Sequence, residues 1–157
     1  MFGSTYAWFG TGAAARSRVL HTADRGRTWT IAETPLRAGE TSGIFSVAFR
    51  DAMNGVVVGG DYSKETEAID NAAITRDGGR TWMAVNGLTG FRSVVAYVPG
   101  QKTTILAVGP QGADLSTDDG RTWAPIEGPG FDTFSFVRGR ALGWGAGARG
   151  TIALFKN

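Results

Sequence analysis

One short segment occurs three times in this chain, and an internal repeat constrains a fold more than any local propensity does. Thr22-Ala23-Asp24-Arg25-Gly26-Arg27-Thr28-Trp29 returns as Thr75-Arg76-Asp77-Gly78-Gly79-Arg80-Thr81-Trp82 and again as Ser116-Thr117-Asp118-Asp119-Gly120-Arg121-Thr122-Trp123. The common pattern is Ser/Thr-x-Asp-x-Gly-Arg-Thr-Trp. An Asp carboxylate accepts hydrogen bonds from nearby backbone N–H groups, and Gly supplies the positive φ of a tight turn, so each copy reads as a hairpin bend. Thr and Trp then open a strand, a β-branched residue beside an aromatic that suits a pleated surface. The roles expected of Asp24, Gly26, Trp29, Asp77, Gly79, Trp82, Asp118, Gly120 and Trp123 are therefore structural, with the indole rings buried between neighbouring sheets.

Short apolar runs that close on Gly precede each box: Ala7 to Gly12, Val56 to Gly60 and Ile105 to Gly109, with a fourth at Leu142 to Gly147. Further strand-like runs stand before the last three of these, at Phe45 to Phe49, Val94 to Val98 and Phe134 to Val137. One strand leads into each box and another leaves it, which makes a repeating unit of four strands. The box Asp residues lie 53 and 41 residues apart, close to the roughly 40 to 50 residues of one four-stranded propeller blade. The longer interval carries a polar insertion, Asp61 to Asn71, where a helical turn is expected. Elsewhere no 3.6-residue apolar period persists. Counted this way, the units hold three, four, four and three strands, about 3.5 to 4 blades in one domain spanning residues 1–157.

Composition fits this reading. Gly makes up 24 of 157 residues, roughly twice its usual share of about 7%. Cys is absent, which excludes disulfides, Cys-bound zinc, iron–sulfur clusters and a thiol nucleophile. A net charge of +2 without runs of like charge gives little support to nucleic-acid binding, and no apolar run reaches the roughly 20 residues of a membrane helix. Met1 to Thr5 lacks the basic start and apolar stretch of a leader, so the chain as it stands is expected inside the cell, or exported if an upstream segment precedes it.

The three boxes resemble the Asp-box, or BNR repeat, of the sialidase-like propellers. With Gly143 to Ile152 included, nearly the whole chain resembles bacterial photosystem II assembly and stability factor-like proteins. The resemblance implies an all-β partial propeller of four-stranded antiparallel blades, with the boxes at the turn from third to fourth strand, away from the ligand-binding face. Complete rings usually need at least four blades. The first unit lacks its innermost strand and the last its outermost, which leaves apolar faces and open edges. The chain is thus expected to be a piece of a longer ring or, the favoured expectation, half of a homodimer that closes one.

A ligand is expected on the face opposite the boxes, among loops carried by a rigid scaffold. The connections from second to third strand offer Arg16, Asp61, Tyr62, Lys64, Gln111 and Arg149; those between units offer Glu40, Arg92 and Asp132. A sialidase would need an arginine cluster, a Tyr–Glu nucleophile pair and an acid–base Asp. Arg16, Arg92 and Arg149 come from three units, yet the Phe/Tyr-Arg-Ile-Pro segment of that family is missing and no Tyr–Glu pair stands out. The leading expectation is a non-catalytic binding or assembly module for a protein or glycan. Its rival is a sialidase- or glycosidase-like hydrolase on the same face, whose acid and base come from Asp61 with Glu65 or Asp132, or from a partner chain. Nothing in the sequence calls for a cofactor or a metal: the single His21 cannot form a two-His site, and Asp118-Asp119-Gly120 lacks the spaced ligands of a calcium loop. Arg27, Arg80 and Arg121, one from each box, are expected to form a basic row on the box face.

Overall fold

The protein is described by a computed structural model over residues 5–156; Met1 to Ser4, the start of the stretch read for a leader, and Asn157 lie outside the described residues. Fourteen strands form four antiparallel sheets. The first holds β1 (Ala7–Gly10), β2 (Arg18–Thr22) and β3 (Thr30–Glu33). The second holds β4 (Ser42–Phe49), β5 (Gly55–Asp61), β6 (Ala72–Thr75) and β7 (Met83–Ala84). The third holds β8 (Val94–Tyr97), β9 (Ile105–Gly109), β10 (Gly112–Ser116) and β11 (Ala124–Ile126). The fourth holds β12 (Thr133–Phe136), β13 (Leu142–Ala146) and β14 (Ile152–Lys156). Every sheet is a plain meander, so the strand partition expected from the repeat is the one observed.

The sheets stand face to face because their central strands are apolar on both sides. Val56 and Val58 of β5 join Ile74, Val95, Ile105 and Ala107 in a cluster shared with the third sheet. Between them, Val57 points the other way, to Val19, Ile44 and Ala73, with Trp8 and Trp82 packed alongside. This is the two-residue alternation of a strand, with both faces used. A third cluster, Val98, Leu106 and Val108, packs against Phe131, Phe134 and Phe155 of the fourth unit. Strands β4, β8 and β12 adjoin across successive sheets, so the first strands of the second, third and fourth units lie on the inner side of the arc.

The three boxes share one geometry. The Thr22 hydroxyl donates to Asp24 at 2.8 Å and accepts the Gly26 N–H at 2.9 Å, while Asp24 accepts the Thr28 N–H at 2.9 Å and the Thr28 hydroxyl at 2.6 Å. Thr75, Asp77, Gly79 and Thr81 repeat this pattern, as do Ser116, Asp118, Gly120 and Thr122. Two successive residues at the bend adopt positive φ: Arg25 and Gly26, Gly78 and Gly79, and Asp119 and Gly120. The second of each pair is glycine, which carries no Cβ penalty there. These hydrogen bonds hold the carboxyls of Asp24, Asp77 and Asp118 down at about 2.

Two expectations need correction. The Asp61 to Asn71 insertion contains turns and no helix: the Lys64 and Glu67 N–H groups bond to the Asp61 and Lys64 carbonyls in successive turns, and Asp70 then takes φ 47°. The one helical turn among the described residues is a 3-10 turn at Ala148–Gly150. The indoles are also not equally buried. Trp82 and Trp123 pack between sheets, whereas Trp29 is exposed, because no sheet covers the outer face of the first.

Candidate ligand-binding face

Two ends of the sheets can be told apart by hydrogen bonds. At one end, the second and third box turns are each tied to the first-to-second-strand turn of their own sheet, Gly78 N–H to the Met53 carbonyl and Asp119 N–H to the Thr103 carbonyl, and the first box is tied to the entry into β1, Arg25 N–H to the Thr5 carbonyl. At the other end lie the second-to-third-strand loops and the connections between sheets, tied across sheets by Arg37 N–H to Asp70 and Phe91 N–H to Glu65. The second end is the loop face.

Asp61 ends β5 there and is buried. Its carboxylate accepts the Ser63 hydroxyl at 2.7 Å and the Ser63 N–H at 3.0 Å, with the Arg37 guanidinium 3.6 Å away. The Ser63 hydroxyl, followed by that of Thr41, holds the carboxyl down at about 2. Arg37 also pairs with Glu67, which Lys64 approaches at 3.3 Å. Arg37 and then Lys64 lower the Glu67 carboxyl below its ordinary value.

Beside this charged group, Tyr62 presents a ring that is 48% exposed, in edge contact with Phe45, itself 42% exposed. Phe45 in turn meets the buried ring of Phe91 edge-on at 4.7 Å. Phe45 faces outward because β4 bulges between Ile44 and Ser46. An inserted residue in one strand redirects a side chain that alternation would bury. The bulge lies next to a close approach of backbones: a Cβ on Gly59 would overlap the Gly43 carbonyl.

The remaining predicted residues scatter. Arg16 is exposed and bound to Glu33 at 2.6 Å. Gln111 donates to Glu65 at 2.7 Å, which bridges the second and third sheets. Arg149 is exposed at the 3-10 turn, and Glu40 and Asp132 are exposed in connections between sheets. Arg92 is not on the surface at all. It is fully buried, its Nε donates to Asp114 at 2.7 Å, and its other nitrogens reach the Phe91 carbonyl and the Thr89 hydroxyl. The Thr89 N–H and hydroxyl complete the shell around the equally buried Asp114. Arg92 therefore pins the connection between the second and third sheets and is not a ligand contact. The structure thus brings Asp61, Tyr62 and Lys64 together and leaves Arg16, Gln111, Arg149 and Asp132 on separate loops. Sequence reasoning passed over Phe45, Arg37 and Glu67. Position alone marked Arg37, since it shares a connection with Glu40; nothing local announced the bulge at Phe45.

No family model and no curated protein matches the chain. Solved structures do. A structure of YCF48 bound to a D1 peptide aligns with a TM-score of 0.69 and 17% identity, over 98% of this chain and 47% of that one. An ancestral GH74 enzyme aligns at 0.65 and 16%, over 96% of this chain and 22% of that one. The GH74 enzyme of Niastella koreensis aligns at 0.59 and 16%, over 96% and 28%. The fold is part of a β-propeller. At these identities the likeness is one of architecture, and the chain spans less than half the length of each of these three neighbours. In this propeller the four sheets are blades, β4, β8 and β12 are their inner strands, and the aromatic group sits at the head of the innermost strand of the second blade.

Proposed function

We propose that this chain is a non-catalytic binding module of the Asp-box propeller type, which holds an extended protein or glycan segment on its loop face. The observation that carries the reading is the exposed pair Phe45 and Tyr62, fixed by a bulge and by Phe91 beside Arg37, Asp61 and Glu67. Aromatic faces give contact area at little entropic cost, and adjacent cationic and anionic groups give direction. The Asp-box reading is supported by three turns whose Ser/Thr, Asp and Thr make the same hydrogen bonds. A neighbour described as bound to a D1 peptide supports a peptide as the first ligand class to test.

The hydrolase alternative fits the groups less well. A glycosidase acid is a carboxyl whose pKa is raised, and Asp61 is held ionised instead. The proposal includes a second copy. The outer face of the first blade exposes Phe9 and Ile31, and that of the last exposes Trp144, Ile152 and Leu154. Contact of each face with the other on a partner copy would cover both and close a ring around the inner strands.

Selection from a displayed random-peptide library, run beside an oligosaccharide array, tests the reading. Binders are expected to lose about tenfold or more in affinity on Phe45→Ala or Tyr62→Ala with the melting temperature unchanged, since both rings are exposed. Binders indifferent to the double substitution would refute the site. Release of reducing ends from an oligosaccharide by the wild type, lost in Asp61→Asn, would install the hydrolase reading. A solution mass of one chain at micromolar concentration would remove the second copy.

A further inference from the structure

Charge is sorted between the two ends of the blades. The box turns carry Arg27, Arg80 and Arg121, and the first-to-second-strand turns of the third and fourth blades carry Lys102, Arg138 and Arg140. All six are exposed on one face. The five carboxylates of that face are taken up by local hydrogen bonds and ion pairs: Asp24, Asp77 and Asp118 within their own boxes, and Asp51 by Arg50, Asn54 and the Met53 N–H. The fifth, Asp119, is buried beneath Arg50 and Arg76, which reach it at 3.1 and 2.7 Å, and accepts the Tyr97 hydroxyl at 3.1 Å. The loop face carries more acid than base, with Glu40, Asp70, Glu127 and Asp132 exposed beside Arg16, Lys64 and Arg149. The overall charge of +2 hides this division.

We infer that the box face docks on an anionic lipid bilayer and so presents the loop face, with its ligand, away from the membrane. The cations arise from turn tips at equivalent places in successive blades, which spreads them over a broad surface instead of gathering them in a groove. A plane of phosphates and carboxylates meets such an array at many points at once, whereas an acidic peptide would follow a track. Met53, exposed at the first-to-second-strand turn of the second blade, and Val137, exposed at that of the fourth, add apolar contacts of the kind that settle at the headgroup boundary. Because box Asp residues are consumed by their turns, they do not offer the arginines a competing partner at the surface.

Flotation with vesicles tests this. The protein is expected to float with vesicles of phosphatidylcholine and phosphatidylserine and to remain below with phosphatidylcholine alone. Binding should fall by at least about tenfold when salt rises from about 0.05 to about 0.5 M, as screening requires. The triple substitution Arg27→Gln, Arg80→Gln and Arg121→Gln should weaken it by roughly a hundredfold at low salt. Arg138→Glu with Arg140→Glu, remote from the boxes, should weaken it as well, with melting temperature as the check on folding. Flotation of both variants equal to that of the wild type, or none of the wild type at low salt, would overturn the inference. So would retention on polyglutamate or an oligonucleotide without flotation, which would assign the face to an acidic macromolecule. Failure here leaves the peptide-library result untouched, since that concerns the opposite face.

Discussion

The two inner blades and the two outer blades are built from the same repeat, yet they store stability differently. Strands β5 and β9 are buried along their whole length, because each has a sheet on both sides. Their outer counterparts alternate or open to solvent: β1 ends exposed, and β13 and β14 expose every second residue. Polar groups follow the same division. Between the inner blades, Arg92 and Asp114 form a fully buried pair and Asp119 gathers two arginines and a tyrosine. On the first blade, the corresponding pairs are Arg16 and Arg18 on Glu33, all in solvent. The same repeating unit thus gives a buried or an open element according to what stands beside it.

The sharpest way to break this contrast is to remove one arginine from each region. Arg92→Ala leaves Asp114 buried without its counter-charge, with the Thr89 N–H and hydroxyl as its remaining donors. The expected loss is about 3 to 5 kcal/mol. Arg16→Ala removes an exposed pair, and such pairs contribute about 0 to 1 kcal/mol. Denaturant titration of both variants reads the difference directly. Similar midpoints for the two would mean that the inner blades do not govern unfolding.

A smaller effect compares two copies of the box. Asp77 organises a turn wedged between blades, where the Trp8 indole donates to the Gly78 carbonyl at 2.8 Å. Asp24 organises the same turn beside the open Trp29. Asp77→Ala should cost about 1 to 3 kcal/mol, the loss expected when partnered donors are left bare, and Asp24→Ala should cost less. Both carboxyls have folded-state values near 2, below their ordinary 3.8. Their contribution is therefore complete above about pH 4 and fades as pH falls toward 2. Melting temperatures between pH 5 and pH 2 should drop in the wild type and drop less in the double substitution.

Much of this division was open to sequence reasoning, and its limits were physical. The strand count and the three-, four-, four- and three-stranded sheets followed from the box and from the apolar runs ending in Gly, because these signals are local. The Arg92–Asp114 pair was not legible: its residues lie 22 positions apart, and only the stacking of β10 against the connection before β8 brings them together. Phe45 was hidden for a different reason, since a bulge shifts register by one residue without a distinctive side chain. The candidate site was thus half legible, with Asp61 and Tyr62 placed by loop position and their aromatic and cationic partners supplied by the fold.

The finest test addresses the first blade alone. His21 lies there in a stack of rings, 5.0 Å from Trp8 and 6.1 Å from Tyr6, and Trp8 rests on Phe49 of the second blade. Its Nε2 is buried without a hydrogen-bond partner. Burial, and then the charge of Arg80, push its pKa below the ordinary 6.5. The folded chain then binds a proton less readily than the unfolded one, so stability from this group is complete above about pH 6.5 and declines as pH falls below it. His21→Phe keeps the stack and removes the titration. Its melting temperature should be flatter than that of the wild type between pH 7.5 and pH 5.5, a range in which the box carboxylates stay ionised. Because the inner blades hold no histidine, a pH response in this range reports the seam between the first and second blades. If the two proteins respond alike, that seam is not where the chain first loosens.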